Sequence, residues 1–378
     1  MRIAAICTSD IPSSKANAIQ VMKVMDALLA LDHEVQLWSP GNHAYELNGI
    51  KQLYGMQQLP QLKWVSSHPK WKRYDYIANT FLQALFWKPD LIYTWTLQSA
   101  VLGLFFRIPV ILELHDRPTG NIGVHAFKLF TKRKGKKRLL LITDALKQVL
   151  GKEQQVNLAD EWVQIAPNGI DMRQYEIIPS ASDARKKLDL PEKFTAVFTG
   201  HFYAGRGIEL LFGLAQSVPE VNFLWVGGTD DMVQSWRQRL QIAGVENVTI
   251  TGFVPQVDLP LYQAAGDVLL MPYGLQIAGS SGGNSAEICS PMKMFDYLAT
   301  GRPIISSELP VLHEVLSEEN TVFCPAKDIE SWANAIRELH DNEIKCTKMG
   351  EHARKTAMHY TWLNRARITL EEFKQTEK

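Results

Sequence analysis

The sequence predicts an α/β protein in which two open, parallel β-sheets follow one another along the chain. Short apolar segments alternate with helical segments in both halves, as they do when helices connect neighbouring parallel strands. The turn sequence Ala-Pro-Asn-Gly-Ile-Asp at 166–171 interrupts this series, and an irregular stretch at 172–182 follows it. The length of 378 residues is enough for two or three domains. We therefore predict a first domain over residues 1–173 and a second domain that starts at residue 174.

The composition argues against several classes of protein. The chain carries 40 basic and 40 acidic residues, so its overall charge is not that of a nucleic-acid-binding protein. Its four cysteines show neither CxxC spacing nor a disulfide framework, which favours reduced thiols in the cytoplasm. The apolar start is too short for a signal peptide or a membrane-spanning helix, and no other apolar run approaches that length. We expect a cytoplasmic protein for which any membrane contact is peripheral.

The first βαβ unit is predicted from a strand over Arg2–Thr8, a helix over Ala18–Leu31 and a strand over Val35–Trp38. The polar segment Ser9–Asn17 between the first strand and the helix lies where such sheets bind ligands. It lacks the GxGxxG pattern, which counts against a dinucleotide-dependent dehydrogenase.

Two further parallel strands are predicted over Leu91–Thr94 and Pro109–Leu114, each followed by polar residues. His115 directly follows the second of them, at the carboxyl end where chemistry is usually done. The alternative is a histidine that only completes the hydrogen bonding of a strand end. Its position alone favours this structural role.

A basic cluster extends from Lys128 to Arg138, with seven lysine and arginine residues and no acid between Asp116 and Asp144. One interpretation is a docking surface for the anionic lipid headgroups of a membrane. The other is a solvated helix end and loop that precede the strand Leu139–Thr143.

The second half contains another series of strands with helices between them. We predict these strands over Thr195–Thr199, Asn222–Val226, Val248–Ile250, Val268–Met271 and Ile304–Ile305. The loop after the first of them, residues 200–207, contains three glycines and Arg206, whose guanidinium suits phosphate oxygens. His201 is a second candidate donor, and an exposed arginine in a mobile loop is the alternative.

Residues 290–307 predict a helix followed by a short buried strand. Ser290 can cap the helix and Pro291 suits its first turn, while Gly301 can end it. The free N–H groups at its start would attract an anion, and Asp296 could accept bonds from hydroxyl groups. This layout suits a nucleotide diphosphate and its ribose, although a capped core helix is an equally good interpretation of this segment alone.

The Gly/Ser-rich segment 274–290 before that helix is too long for a simple connector, which indicates a functional loop. No histidine, cysteine or acidic spacing offers a set of metal ligands. We therefore expect neither a metal ion nor another cofactor.

Several motifs in order carry a resemblance to a known family. They are Pro12–Lys23, Glu113–Asp116, Pro167–Asp171, Gly200–Gly207, Gly252–Val254, Asp267–Tyr273 and Ser290–Ser307. Through them the chain resembles, nearly end to end, the retaining glycosyltransferases of family 4, group 1 enzymes similar to glycogen synthases and mannosyltransferases. The resemblance implies the GT-B architecture, with two facing Rossmann-like domains and a cleft between them. It also implies a C-terminal helix within 359–378 that crosses back to the first domain, so that the second domain is 174–358.

The resemblance assigns residues to a nucleotide-sugar donor. Arg206 and His201, in the loop that begins at Gly200, occupy the positions that hold the diphosphate, with His201 in place of the usual arginine. The helix start at Ser290 is aimed at the same charge. Arg206 would thus stabilise the departing diphosphate and count as catalytic.

The acidic pattern of the family is altered in this chain. Asp296 takes the place of the second acid, which binds the ribose, whereas the first acid falls on Ile288 with Glu287 beside it. The backbone N–H groups at Met292 and Lys293 are the alternative replacement for that acid.

The remaining roles concern the sugar, the base and the acceptor. His115 matches the histidine that lies against the donor sugar, and Phe253 and Val254 match the loop that contacts the base. Acceptor contacts are expected from the first domain at Lys15, Ala16, Asn17 and Trp95.

The implied function is metal-independent, retaining transfer of a sugar from a nucleotide diphosphate to a glycan or a lipid-linked acceptor. A UDP-sugar is preferred slightly over a GDP-sugar. Two alternatives remain: a sugar-nucleotide epimerase of the same fold, and a catalytically silent subunit that binds a sugar nucleotide. Ile288 is the best argument for the silent subunit.

Overall fold

The computed structural model describes residues 1–41, 47–71, 73–203, 205–277 and 283–375. The chain forms two compact units, of which the first comprises Met1–Asn168 with Trp362–Lys378 and the second Gly169–Thr361. The predicted domain limits, after residue 173 and before residue 359, both fall inside the second unit.

The first unit is built on a parallel sheet with the strand order β3-β2-β1-β4-β5-β6-β7. The order reverses between β1 and β4, so their loops diverge at the carboxyl edge, as at a ligand-binding switch point. The strands are β1 (Arg2–Ile6), β2 (Glu34–Ser39), β3 (Gln61–Trp64), β4 (Leu91–Thr94), β5 (Val110–Leu114), β6 (Lys137–Leu141) and β7 (Val163–Ile165). The helices are α1 (Ala16–Ala30), α2 (Leu47–Tyr54), α3 (Tyr74–Trp87), α4 (Leu97–Phe105), α5 (Gly120–Lys132) and α6 (Asp144–Gln154).

The second unit has a parallel sheet with the strand order β10-β9-β8-β11-β12-β13. Its strands are β8 (Thr195–Thr199), β9 (Asn222–Val226), β10 (Val248–Gly252), β11 (Val268–Met271), β12 (Ile304–Ser307) and β13 (Thr321–Cys324). Its helices are α7 (Ala181–Lys187), α8 (Ile208–Ser217), α9 (Asp230–Ile242), α10 (Leu259–Ala264), α11 (Met292–Thr300), α12 (Ile329–His340) and α13 (Glu343–Ala357). The predicted α/β fold with two successive parallel sheets is therefore confirmed.

The last helix, α14 (Trp362–Gln375), belongs to the first unit although it follows the whole second unit in sequence. It packs against α1 and buries Ala366, Leu370 and Phe373 on its apolar side. The end of the chain thus completes the core of the first unit, in agreement with the helix predicted to cross back.

The start of α1 differs from the prediction. The predicted loop extends to Asn17, but the helix begins at Ala16 with Lys15 at its N-cap. The reason is local, since the Lys15 carbonyl already accepts the N–H groups of Ala18 and Ile19 at 3.0 and 3.1 Å. Ala16 and Asn17 are consequently residues of the first helical turn.

The basic cluster at 128–138 is partly used by the fold itself. Arg138 is buried, and the Lys137 ammonium donates to the carbonyls of Phe130, Thr131 and Arg133 at 2.8, 2.8 and 2.7 Å. Those carbonyls lie at the C-terminal end of α5, where a positive charge is stabilising. The prediction of one continuous lipid-binding surface is therefore wrong for Lys137 and Arg138, while Lys132 and Lys134 remain exposed.

Candidate functional site

Helix α11 begins one residue later than its sequence suggests. Its N-cap is Pro291, which has no side chain able to accept a hydrogen bond, and the first helical bond joins the Met294 N–H to the Pro291 carbonyl. The prediction that Ser290 caps the helix is wrong; Ser290 is buried just ahead of it. The predicted end is confirmed, because Gly301 adopts a left-handed conformation with φ of 68°.

Two side chains of α11 fix the helix to the carboxyl end of β8. The Tyr297 hydroxyl accepts the Thr199 N–H at 2.8 Å and donates to the Leu270 carbonyl at 3.3 Å. The Lys293 ammonium lies 4.1 Å from the ring centroid of Phe198 and covers Gly200, where an added Cβ would come within 2.6 Å of it. Glycine is therefore required at 200 for the lysine to occupy this position.

Arg206 and His201 complete a cluster of basic groups with Lys293. The Arg206 guanidinium lies 5.4 Å and the Lys293 ammonium 5.5 Å from the ring centroid of Tyr273, a buried residue. His201 stacks on Tyr203 at 5.0 Å. Within the described residues, none of the three basic side chains forms a salt bridge with a carboxylate. We call Lys293, Arg206 and His201 the cationic cluster.

The cationic cluster suppresses the charge of its own members. Burial, followed by the charge of Arg206, lowers the pKa of Lys293 well below its usual value, and Asp296 opposes this only in part. Burial and then the charges of Lys293 and Arg206 also lower the pKa of His201. Such a cluster is stabilised by an anion, which replaces the missing carboxylates.

The two acidic residues near α11, Glu287 and Asp296, have different surroundings, and Ile288 occupies the position where the resemblance expects an acid. Ile288 is buried in the core, and Glu287 beside it is exposed and accepts a bond from the Asn284 amide at 3.3 Å. Burial and then the charge of Asp296 raise the pKa of Tyr175 well above its usual value, so the Asp296 carboxylate lies beside the Tyr175 hydroxyl. Asp296 therefore already has a neighbour inside the protein.

The other residues predicted to bind the donor lie at the same edge of the second sheet. Phe253 and Val254 follow β10 directly, and Phe253 is 55% exposed. Met292 is the first residue of α11. Residues 278–282 of the predicted functional loop 274–290 lie outside the described residues. On either side of this gap, the Ser285 N–H donates to the Ile277 carbonyl at 2.8 Å.

In the first unit, His115 lies just beyond β5 and bonds through Nε2 to Glu113 Oε1 at 2.7 Å. Trp95 follows β4, with its ring centroid 5.0 Å from that of Tyr93. Its indole N–H is buried and has no hydrogen-bond partner among the residues that the structure describes. Lys15 is exposed at the start of α1.

Sequence reasoning missed a cavity near the predicted acceptor loop. It lies at the carboxyl ends of β1, β2 and β3, and polar groups predominate in its lining of Asp10, Pro40, Gly41, Val65, Ser66, Ser67 and Arg73. The Arg73 guanidinium holds the wall together by donating to Asp10 at 3.3 Å and to the Thr8 carbonyl. Serine hydroxyls and a charged pair suit a hydroxyl-rich ligand.

Neither a metal site nor a membrane-spanning helix is found in the described part of the chain. No three histidine, cysteine or acidic side chains there are grouped to hold a metal ion. No helix within the described ranges combines the length and the apolar character needed to cross a membrane.

Comparison with known proteins gives a family match for the second unit. Residues 193–342 match the family model described as "Glycosyl transferases group 1". The chain is 23% identical over 186 residues to a processive diacylglycerol alpha-glucosyltransferase from Acholeplasma laidlawii, covering 48% of this chain and 52% of that protein. It is 26% identical over 121 residues to a D-inositol 3-phosphate glycosyltransferase from Corynebacterium urealyticum, covering 32% and 26%. The chain thus spans about half the length of these relatives or less.

Solved structures resemble the whole chain. HepE from Anabaena in complex with UDP has a TM-score of 0.77 at 18% identity, with 99% of this chain and 100% of that chain covered. A sucrose-phosphate synthase from Thermosynechococcus elongatus has a TM-score of 0.76 at 17% identity, with coverages of 99% and 98%. These structural matches confirm the predicted fold class, and the family match over residues 193–342 confirms the predicted resemblance to group 1 glycosyltransferases.

Proposed function

Because the chain has the GT-B fold and carries a group 1 glycosyltransferase domain in its second unit, we propose that it is an enzyme that transfers a sugar from a nucleotide diphosphate. The observation that carries this proposal is the cationic cluster over Gly200, at the carboxyl end of β8. A diphosphate supplies the negative charge that the cluster lacks, and it gains further charge when the sugar leaves.

The donor diphosphate is proposed to bind between Lys293, Arg206 and the backbone near Met292. The Arg206 guanidinium can offer two parallel N–H donors to phosphate oxygens. Lys293 supplies the second charge through its side chain, which compensates for His201 in the place of an arginine. Charge that develops on the leaving diphosphate is stabilised by groups already in position, without a metal ion or another cofactor. Phe253 and Val254 are the proposed base contacts, and Asp296 the ribose contact.

The finer assignments remain proposals from resemblance. We propose retention of the anomeric configuration and a UDP-sugar donor, which HepE supports because it was solved with UDP and with UDP-glucose. The acceptor is proposed to be a glycan or a lipid-linked sugar, and the diacylglycerol acceptor named for one relative supports the lipid alternative. The polar cavity lined by Asp10, Ser66, Ser67 and Arg73 is the proposed acceptor site, with Lys15, Ala16, Asn17 and Trp95 beyond it.

Binding of UDP is expected to be accompanied by proton uptake. The lowered pKa values of Lys293 and His201 rise when an anion arrives, so each group takes up protons at pH values between its lowered and its raised pKa. Calorimetry with UDP in buffers of different ionisation enthalpy measures this uptake. Lys293→Met should reduce both the uptake and the affinity, by about 10- to 100-fold for one charge-assisted contact.

The matched control is Lys348→Met, because Lys348 is an exposed lysine on α13. It should bind UDP like the wild type. Equal affinity of the two variants for UDP would contradict the proposed role of Lys293.

We also propose that the first unit contacts an anionic membrane surface. The exposed apolar side chains of Phe105, Phe106 and Leu129 lie at the ends of α4 and α5. They adjoin the exposed Lys132 and Lys134, and the Arg133 guanidinium lies 3.8 Å from the Phe105 ring centroid and joins the two helix ends. Apolar groups bordered by cations suit a lipid interface.

Vesicles that contain phosphatidylglycerol should bind the protein at low salt and release it as salt is raised. The double variant Lys132→Ser/Lys134→Ser should bind less, by about 1 kcal/mol per removed charge. The variant Lys186→Ser/Lys187→Ser, which removes two exposed lysines of α7, is the control. No binding of the wild type at low salt would remove this proposal.

A further inference from the structure

The Glu113 carboxylate is completely buried and is surrounded by donors from distant parts of the first unit. Its Oε1 accepts from Gln20 Nε2 at 2.6 Å, His115 Nε2 at 2.7 Å and Arg365 Nη2 at 2.7 Å. Its Oε2 accepts from the Tyr93 hydroxyl and from Arg365 Nη1 at 3.3 Å. The lone pairs of the carboxylate are thus fully used. We call these five side chains the Glu113 cluster.

Arg365 is itself held in place by the backbone. Its Nε donates to the Pro167 carbonyl at 2.8 Å, and its Nη2 donates to the Ala166 carbonyl at 3.0 Å. These carbonyls follow β7, so the guanidinium joins α14 to the sheet and has little freedom to rotate. A lysine at this position would provide one point charge instead of this planar set of donors.

The charges in the Glu113 cluster determine which groups donate. Burial raises the pKa of Glu113, but the charge of Arg365 and the bonds from His115 and Tyr93 outweigh burial and lower the pKa to about 2. Glu113 is therefore ionised at neutral pH and can only accept hydrogen bonds. The His115 Nε2 atom, 2.7 Å away, must then carry a proton.

We propose that Glu113, held by Arg365, is a positioning residue that keeps His115 protonated on Nε2 and leaves Nδ1 as a hydrogen-bond acceptor for a substrate hydroxyl. This inference rests on the proposed function and on the resemblance that matches His115 to a histidine lying against the donor sugar. The ring is 28% exposed, and the described residues offer no hydrogen-bond partner to Nδ1. The Glu113 bond fixes both the tautomer and the plane of the ring, as second partners of functional histidines do.

The position of Glu113, and through it that of His115, depends on helix α14. Arg365 lies 252 residues beyond Glu113, and removal of its charge would leave the carboxylate without its arginine partner, beside a His115 ring that is neutral in the proposed tautomer. His115 is therefore held through a contact that forms only when α14 has packed on the first unit.

The inference can be tested without any substrate. In wild-type protein labelled with ¹⁵N-histidine, proton NMR should show a ring N–H resonance that exchanges slowly, because a buried carboxylate accepts that proton. The ring nitrogens of His115 should report the Nε2–H tautomer. The resonance should be absent in His115→Asn, which assigns it, and should move upfield or disappear in Glu113→Gln. Tyr93→Phe keeps the carboxylate and should retain the resonance.

A kinetic measurement separates positioning from stability. Glu113→Gln should lower kcat roughly 10- to 100-fold with a smaller change in KM, as expected for loss of a partner that orients a functional histidine. An Nδ1–H tautomer in the wild type, an unchanged resonance in Glu113→Gln, or an unchanged kcat would each overturn the inference. If the resonance is present but no nucleotide sugar is turned over, the proposed function fails while the tautomer assignment stands.

Discussion

Replacement of Arg206 with alanine is expected to lower kcat about a hundred- to a thousandfold, because one preorganised donor to the developing charge is lost. The fold should remain intact. Arg206 is half-buried in the loop after β8 and makes no salt bridge within the described residues, and its main contact is with the Tyr273 ring. Turnover of a nucleotide sugar, measured beside the melting temperature, tests both statements.

The control for Arg206 is Arg337→Ala, which removes an exposed arginine paired with the exposed Glu220. Exposed ion pairs contribute little, so both its turnover and its melting temperature should stay close to those of the wild type. Near-normal turnover in Arg206→Ala would disprove the assignment of the diphosphate to the cationic cluster.

Replacement of Arg365 with methionine is expected to destabilise the first unit by about 3–5 kcal/mol, the usual cost of breaking a buried ion pair. Arg365 is almost completely buried, and its loss leaves the Glu113 charge and the carbonyls of Ala166 and Pro167 without their donor. Calorimetric unfolding should show this as a lower melting temperature for the transition of the first unit.

The same helix provides the control for Arg365. Arg367 is exposed on α14 and bonds only to Asn364, within the described residues, so Arg367→Met should change stability by less than about 0.5 kcal/mol. The double variant Glu113→Gln/Arg365→Met should recover part of the loss, because no unpaired charge is left buried. Equal stability of Arg365→Met and Arg367→Met would contradict the role of the buried pair.

The pH dependence of the Arg365 effect has a defined sign. The pKa of Glu113 is about 2 in the folded protein against an ordinary value of 4.5, so the unfolded chain binds more protons between these values. The pair therefore contributes fully above about pH 4.5, and its contribution falls as the pH drops towards 2. The deficit of Arg365→Met should accordingly be smaller at pH 4 than at pH 7.

Much of the fold follows from local sequence. The strands β4, β8, β9 and β11 are predicted at their observed bounds, since continuous apolar segments between turns indicate buried parallel strands. The strands β3 and β13 are not predicted. β3 is short and only half-buried at the edge of its sheet, and it lacks the apolar run that identifies the others.

The site is less predictable because its contacts join distant segments. The sequence points to Arg206 and to the start of α11, but it assigns only the backbone of Lys293 to the donor. The position of its ammonium over Gly200 depends on how α11 packs at the end of β8. Lys293 and Gly200 are 93 residues apart in the chain, so no local pattern predicts this contact. The contact between Glu113 and Arg365 cannot be predicted from local sequence either, because the two residues are 252 positions apart in the chain.

The basic cluster at 128–138 shows that composition alone does not predict which charged side chains face solvent. Its composition indicates a surface feature, yet Lys137 binds the end of α5 and Arg138 is buried. Charge counts do not distinguish a lysine that binds backbone carbonyls from one that faces solvent. Only the folded structure, in which the Lys137 ammonium reaches the carbonyls at the end of α5, makes that distinction.

The central claim is tested most directly by incubating the wild-type protein with UDP- and GDP-sugars and following the products by chromatography. The predicted result is release of the free nucleoside diphosphate. This release should be fastest with a UDP-sugar and should be lost in Arg206→Ala. Interconversion of the donor sugar would instead indicate an epimerase. Tight binding of a nucleotide sugar with neither reaction would indicate a silent binding subunit, and either outcome would contradict a glycosyltransferase.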